Sequence, residues 1–220
     1  MELEIIKSGD GSNTIFRPDL NETYHSNHGA VQESRHVFID KGLNDSKKKD
    51  EISVLEIGFG TGLNAFLSIQ WSLHMNQKLV YHTLEPYPIE QQVIQKLNYP
   101  QLIVFDQSDH LWEQLHVCEW EREVQLTTNF TIVKKCIEVQ KIISEKMYDI
   151  VFFDAFAPGK QAEMWDVKTL NNVFKAMKIG GALVTYCSNG QFKRNLKEIG
   201  FSVEPLDGPP GKREMVIAYK

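Results

Sequence analysis

From Ile52 onward, short apolar runs alternate with amphipathic stretches of helical period, and this alternation constrains the fold more than any other feature of the chain. Strands are predicted at 53–57, 79–84, 130–134, 149–153, 182–186, 202–205 and 214–219, where β-branched and aromatic residues cluster between turn signals. Helices are predicted at 62–74, 88–97, 137–145, 166–177 and 191–199, where apolar residues recur at helical spacing. A strand that must return parallel to its predecessor needs a crossover, so the pattern implies an α/β fold with a mostly parallel sheet covered on both faces. The last two strands are joined across a short loop at 207–211, too short a connection for a crossover, and that pair is expected to be antiparallel. The segments 124–127 and 130–133 flank Thr128-Asn129 and suit an inserted hairpin. Gly180-Gly181 and Gly200 fall where helices should end. Residues 1–45 break the alternation. They hold strand-sized pieces at 14–16 and 35–39 and are expected to form a small N-terminal extension to a main domain at 46–220.

The first predicted strand runs into Glu56-Ile57-Gly58-Phe59-Gly60-Thr61-Gly62-Leu63-Asn64. Glycines permit positive φ and let a ligand approach the backbone, and in an open parallel sheet this loop lies at the carboxyl edge where ligands bind. A dinucleotide fingerprint would need glycine at position 63, where Leu63 stands. Glu56, two residues before Gly58, would repel a pyrophosphate but suits a cationic ligand such as S-adenosylmethionine. Glu85 ends the second predicted strand, where a carboxylate can accept both ribose hydroxyls. Together Glu56, Gly58, Phe59, Gly60, Gly62, Asn64 and Glu85 make a candidate cofactor site. Cys136 follows the third predicted strand, in the place where an acid would meet the adenine. The bland alternative is a buried glycine turn with Glu85 capping the next helix.

Asp154 closes the apolar run Tyr148 to Phe153, although burying an unpaired carboxylate costs several kcal/mol or more. Its strand is expected beside the first one, opposite the glycine loop. A carboxylate there can aim an amine lone pair and stabilise the positive charge that develops on nitrogen. At an ordinary carboxylate pKa near 4 it would not hold an alkylammonium proton in water, so an electrostatic role is expected. Phe156, Pro158 and Trp165 are candidate substrate-binding residues, with Phe156 and Trp165 placed to stack on a planar base or on the cation. A plain turn cap is the competing role for Asp154.

The 220 residues carry a net charge of −5, which disfavours a surface coated in basic groups but allows a local patch. Lys47-Lys48-Lys49 and Lys134-Lys135 read as solvated lysines, Lys193-Arg194 with Lys197 as a further basic cluster, and Lys212-Arg213 as a contact for RNA phosphate. Three widely spaced cysteines, Cys118, Cys136 and Cys187, argue for a reducing compartment and against a metal site. No apolar h-region follows the start, and no run approaches the roughly 20 residues of a membrane span. A cytoplasmic protein is expected.

Several stretches carry a specific resemblance. They are Tyr24-His25-Ser26-Asn27-His28-Gly29, Glu33-Ser34-Arg35-His36-Val37-Phe38, the glycine loop, Asp154-Ala155-Phe156-Ala157-Pro158, Met164-Trp165 and Lys212-Arg213-Glu214-Met215. In order and content the chain resembles the methyltransferase half of the bacterial tRNA 5-methylaminomethyl-2-thiouridine biosynthesis family. The resemblance implies a Rossmann-like class I methyltransferase fold with a seven-stranded sheet, and N-methylation of the aminomethyl group on a wobble uridine of tRNA. Many members of that family fuse this domain to a flavin-dependent oxidoreductase. Nothing here resembles the second domain, so a stand-alone methyltransferase served by a separate oxidoreductase is expected. The family has glycine-aspartate after the third strand where this chain has Lys135-Cys136. From the residues alone, a methyltransferase for another amine (a small molecule or a protein) and a non-catalytic RNA-binding module on the same fold stay open.

Overall fold

The computed structural model describes residues 3–46 and 49–220. Lys47 and Lys48 of the first lysine run lie outside the described residues. A central sheet carries β4 (Glu51–Ile57), β5 (Lys78–Leu84), β6 (Glu123–Thr127), β7 (Phe130–Lys135), β8 (Tyr148–Phe153), β9 (Met177–Thr185), β10 (Ser202–Asp207) and β11 (Glu214–Tyr219). Its order is β10-β11-β9-β8-β4-β5-β7-β6. The inner strands β9, β8, β4, β5 and β7 are parallel, and β11 runs antiparallel to both β9 and β10, as the short 207–211 connection requires.

The sheet has eight strands among the described residues where seven are expected. The extra one is β6, which folds back on β7 as the antiparallel hairpin around Thr128-Asn129 and covers what would be a free edge.

Alternation within the strands sorts the core into two layers. Val54, Ile150, Phe152 and Ile217 pack with α3 (Leu63–Met75) and α6 (Ser108–Val117), while Leu55, Val151, Phe153 and Val216 pack with α7 (Val167–Ala176) and α8 (Gly190–Ile199). Asp166 caps α7 by accepting the Thr169 N–H (2.7 Å), and Gly200 ends α8 in the left-handed region.

Several local expectations are revised. The piece at 35–39 is not a strand: α1 (Ala30–Ser34) runs on into a π-helix, Arg35–Leu43, whose Phe38 packs 5.0 Å from the Phe152 ring. The segment 137–145 forms only a 3-10 turn at Val139–Lys141, and 88–97 only a short helix at Gln91–Ile94. Gly180-Gly181 lies inside β9 and ends no helix, at a register shift between β8 and β9. Lys134 is not solvated. It is 1% exposed, donates to the carbonyls of Leu115 and His116, and lies 5.0 Å from the Trp120 ring centre.

The N-terminal segment folds as an antiparallel meander, β1 (Glu4–Lys7), β2 (Asn13–Arg17) and β3 (Glu22–Thr23). Ile15, Ala30, Val37 and Phe38 belong to the same apolar cluster as α3 and α6. Gly211, before β11, has no room for a Cβ against the His28 ring, so the N-terminal segment packs directly on the backbone of the turn before β11.

Candidate active site

The chain reverses its winding at β4, because β5 follows on one side while β8 lies on the other. At such a switch point the loops leaving the two strands diverge and open a crevice at their carboxyl ends. A cavity of about 580 Å³ occupies that place, within the range of small-molecule sites.

One wall is the glycine loop. Gly58 adopts φ 91°, and a Cβ there would lie 2.8 Å from the Asp154 carbonyl oxygen, so only glycine lets the two loops meet. The Gly60 N–H donates to Glu85 Oε2 (3.0 Å) and the Tyr87 N–H to Oε1 (2.9 Å). These bonds fix the Glu85 carboxylate on the cavity wall beside Ile57 and Leu84. Burial raises the pKa of Glu85, against the lowering effect of the two N–H bonds and of Arg17.

Asp154 leaves β8 directly opposite, its N–H donating to the Ile57 carbonyl (3.1 Å). Asn64 Nδ2 donates to its Oδ2 (2.8 Å), and the other carboxyl oxygen has no partner among the described residues. Burial pushes the Asp154 carboxyl up to about 7, offset in part by Asn64 and Lys212 and reinforced by Glu33. The expectation of an ordinary carboxylate is thereby revised. Near neutral pH this group can take a proton as well as stabilise a charge.

Beneath Asn64 lies Glu56, fully buried. It accepts from Thr83 Oγ1 (2.7 Å), and burial drives its pKa well above the usual range. Because it alternates with Leu55 and Ile57, it points under α3 and does not reach the cavity. The expected direct contact between Glu56 and a cationic ligand is therefore replaced by a buried polar support for the loop.

The far wall belongs to the N-terminal segment and the turn before β11. Phe156 sits edge-on to Tyr24 (5.0 Å) with the Arg17 guanidinium 5.5 Å over its ring. Lys212 Nζ donates to Glu33 Oε2 (2.6 Å) and lies 3.7 Å from the centre of the Tyr186 ring. Glu33 Oε1 accepts the Ser26 N–H (3.0 Å). Tyr186 is pinned in turn by donating to the Ala155 carbonyl (2.8 Å).

Of the residues singled out from sequence, Gly58, Phe59, Gly60, Glu85, Asp154, Phe156 and Lys212 line this cavity. Gly62 and Asn64 support the wall from behind, and Pro158 stands off it. Cys136 is exposed and off the wall, its N–H donating to Glu121 Oε1 (2.6 Å), while Ile137 to Gln140 form the wall there. Trp165 is corrected from a stacking face to a buried strut. It is 3% exposed, enclosed by Phe153, Tyr186 and Phe192, with Nε1 donating to the Phe156 carbonyl. Arg213 lines a neighbouring cavity of about 500 Å³ with Cys187 and Ser188, and Tyr186 and Lys212 are common to both cavities. Arg17, Tyr24, Glu33 and Tyr186 are wall residues that sequence reasoning missed as site residues. Tyr24 and Glu33 stand in the stretches that carry the resemblance, which was the available signal. Among the described residues no cluster of three or more His, Cys, Asp or Glu could hold a metal, and no helix is long and apolar enough to cross a membrane.

Comparison with known proteins bears on this geometry. A family model described as S-adenosyl-L-methionine-dependent methyltransferase matches residues 103–220. The chain is similar to the tRNA 5-methylaminomethyl-2-thiouridine biosynthesis bifunctional protein MnmC of Vibrio campbellii, 27% identical over 92% of this chain and 33% of that protein. The corresponding protein of Vibrio cholerae is 29% identical over the same shares of the two chains. The chain thus spans about a third of the length of the curated relatives it matches. Among solved structures, MNMC2 from Aquifex aeolicus superposes with a TM-score of 0.82 at 25% identity, over 99% of this chain and 70% of that one.

Proposed function

Because this chain belongs to the S-adenosyl-L-methionine-dependent methyltransferases, we propose that it N-methylates the 5-aminomethyl group of a (2-thio)uridine at the wobble position of tRNA. The observation that carries this reading is Asp154, a carboxylate of raised pKa with one unpartnered oxygen, facing the glycine loop across a single cavity. The relatives named for 5-methylaminomethyl-2-thiouridine biosynthesis supply the acceptor. On this reading an oxidoreductase activity acting earlier supplies the aminomethyl group.

The residues present fit the cofactor. Glu85 keeps free lone pairs on both carboxyl oxygens for ribose hydroxyls, Ile57 and Leu84 offer an apolar wall, and the Gly58 to Thr61 backbone is open to a close-packed ligand. When bound, S-adenosylmethionine supplies an electrophilic methyl group on a sulfonium. Asp154 orients the acceptor nitrogen and takes its proton, and Asn64 keeps that carboxylate facing the cavity. Phe156 and Tyr186 offer ring surface to a uracil, and Arg213 in the adjoining cavity offers a cation to the flanking phosphate.

The test is mass spectrometry of tRNA nucleosides after incubation with methyl-labelled cofactor. Label should appear in 5-methylaminomethyl nucleosides of tRNA that carries the aminomethyl group, and not in tRNA lacking it. Label confined to small amines or to protein would overturn the assignment.

A further inference from the structure

We propose that Lys212, held by Glu33 against the face of Tyr186, is a positioning cation of the acceptor site that disfavours the ammonium form of a primary amine, and that Glu33 sets how strongly it does so by acting in the opposite sense. The inference rests on the amine reading above and deepens it.

Three observations carry it. First, the Lys212 ammonium is not free to reach a distant phosphate, because its charge is taken up by a carboxylate at 2.6 Å and a ring face at 3.7 Å. Second, the Glu33 side chain is 8% exposed and Lys212 32%, so the pair is substantially withdrawn from water. Apolar groups of similar volume would hold such a place equally well or better, so stability alone does not explain an ion pair there. Third, Glu33, Lys212, Tyr186 and Asp154 line one cavity, and the two ions act on Asp154 with opposite sign.

The chemistry of an amine acceptor needs such a device. Nitrogen attacks only through a lone pair, which the ammonium form lacks. With the proton affinity of an ordinary alkylamine, only about one molecule in a thousand is uncharged at pH 7. A fixed cation nearby disfavours a second positive charge and so favours the free amine. The proton shed by nitrogen has a receiver in the unpartnered oxygen of Asp154.

The charged and titratable groups around this point are Asp154 just past β8, Glu33 in α1, Lys212 before β11, Tyr186 and Cys187 after β9, Glu22 in β3, Glu56 below Asn64, Tyr81 in β5, and Arg17, Tyr24 and Glu85 on the cavity wall. His25 faces Lys212 from the N-terminal segment. Lys212 lowers and Glu33 raises the Asp154 pKa. Removing the cation should therefore move the rising limb of the pH–rate profile to higher pH, and removing the anion should move it to lower pH.

The experiment compares single-turnover methylation of aminomethyl-bearing tRNA across pH in wild type, Lys212→Met, Lys212→Arg and Glu33→Gln. In parallel, the carboxyl carbon of Asp154 is titrated by NMR in the ligand-free proteins. Expected shifts are about half to one pH unit upward for Lys212→Met and downward by a similar amount for Glu33→Gln, below the range for fully buried charges because Lys212 keeps some water. Lys212→Arg should restore the wild-type limb. Lys212→Met and Glu33→Gln each leave one charge of the pair without its partner and should melt below wild type while staying folded at the assay temperature, so the readout is the position of the limb and of the Asp154 titration and not the rate alone. Shifts of the same sign in the two variants, or a slower rate at every pH with the limb and the Asp154 titration unmoved, overturn the proposal. If wild type transfers no methyl to this tRNA at any pH, the amine reading fails, and the ligand-free titration still decides whether the pair acts on Asp154.

Discussion

Two aspartates bracket the same strand and meet opposite fates. Asp149, at the start of β8, is 3% exposed, and burial alone would raise its pKa. Lys178, Lys49 and Ser53 reverse that and hold its carboxyl well below the usual range. Lys49 Nζ lies at 2.6 Å, Lys178 Nζ at 2.8 Å, and Ser53 donates both its N–H and its hydroxyl. Asp154, just past the other end, has one amide donor and a carboxyl pushed up to about 7 by burial. Residue type is the same, while the supply of donors, the depth of burial and the neighbouring charges differ. A carboxylate given every partner serves the fold, whereas one left short of partners is kept reactive.

The largest test of this contrast is Asp154→Asn, which keeps the shape and removes the charge. The chemical step should slow by about 10²–10⁴-fold, while calorimetry shows cofactor binding intact through Glu85 and the loop backbone. Normal turnover in this variant would make Asp154 a turn cap and end the contrast. At the opposite end, Asp149→Asn should leave the pH–rate profile unchanged and lower unfolding free energy by about 1.5–3 kcal/mol, the scale of hydrogen bonds to a charged group. The sign with pH follows from its lowered pKa. The stabilisation is present above the unfolded value near 3.8 and fades as pH falls below it, which denaturant melts at pH 3 and pH 7 can read.

Glu85→Ala examines a third carboxylate with an intermediate supply of donors. It should weaken cofactor binding by about 1.5–3 kcal/mol with a smaller effect on the bound-state rate. An affinity for S-adenosylhomocysteine equal to wild type would remove Glu85 from the site. The smallest effect sharpens the contrast through stability alone. Because the folded pKa of Asp154 is raised, its charge costs stability as pH climbs from about 4 toward 7. Asp154→Asn should therefore gain about 1–2 kcal/mol at pH 8 and nothing at pH 4, a figure reduced for the water that still reaches the half-buried carboxyl. A loss at pH 8 would contradict the direction of the shift.

Sequence reasoning reached the middle of the sheet and faltered at its ends, for physical reasons. Strands buried on both faces leave continuous apolar runs, and the charges that end them, Glu85 and Asp154, stand out against that background. Val37-Phe38-Ile39 has the composition of a strand, yet packing against Phe152 holds it in a π-helix, since tertiary contacts override weak local preference. Gly180-Gly181 looked like a helix stop because glycine serves bulged strands as well. Trp165 looked like a stacking platform because sequence does not show that Phe153 and Phe192 enclose it. Glu33 and Lys212, one noted only within a resemblance and the other given to phosphate, meet only through the closure of the whole fold.

That closure has a consequence for the order in which the protein is made. Glu33 waits 179 positions for its partner, and His28 waits for Gly211 to fit against it. Chains are synthesised and begin to fold from the N-terminus. A ribosome that has released the chain through Asp154 has delivered the glycine loop, Glu85, Asp154 and the N-terminal part of the far wall, but not Tyr186 or Lys212. A truncated or stalled product of that length lacks the Tyr186 and Lys212 side of the cavity, so the acceptor wall is completed only when synthesis passes Lys212.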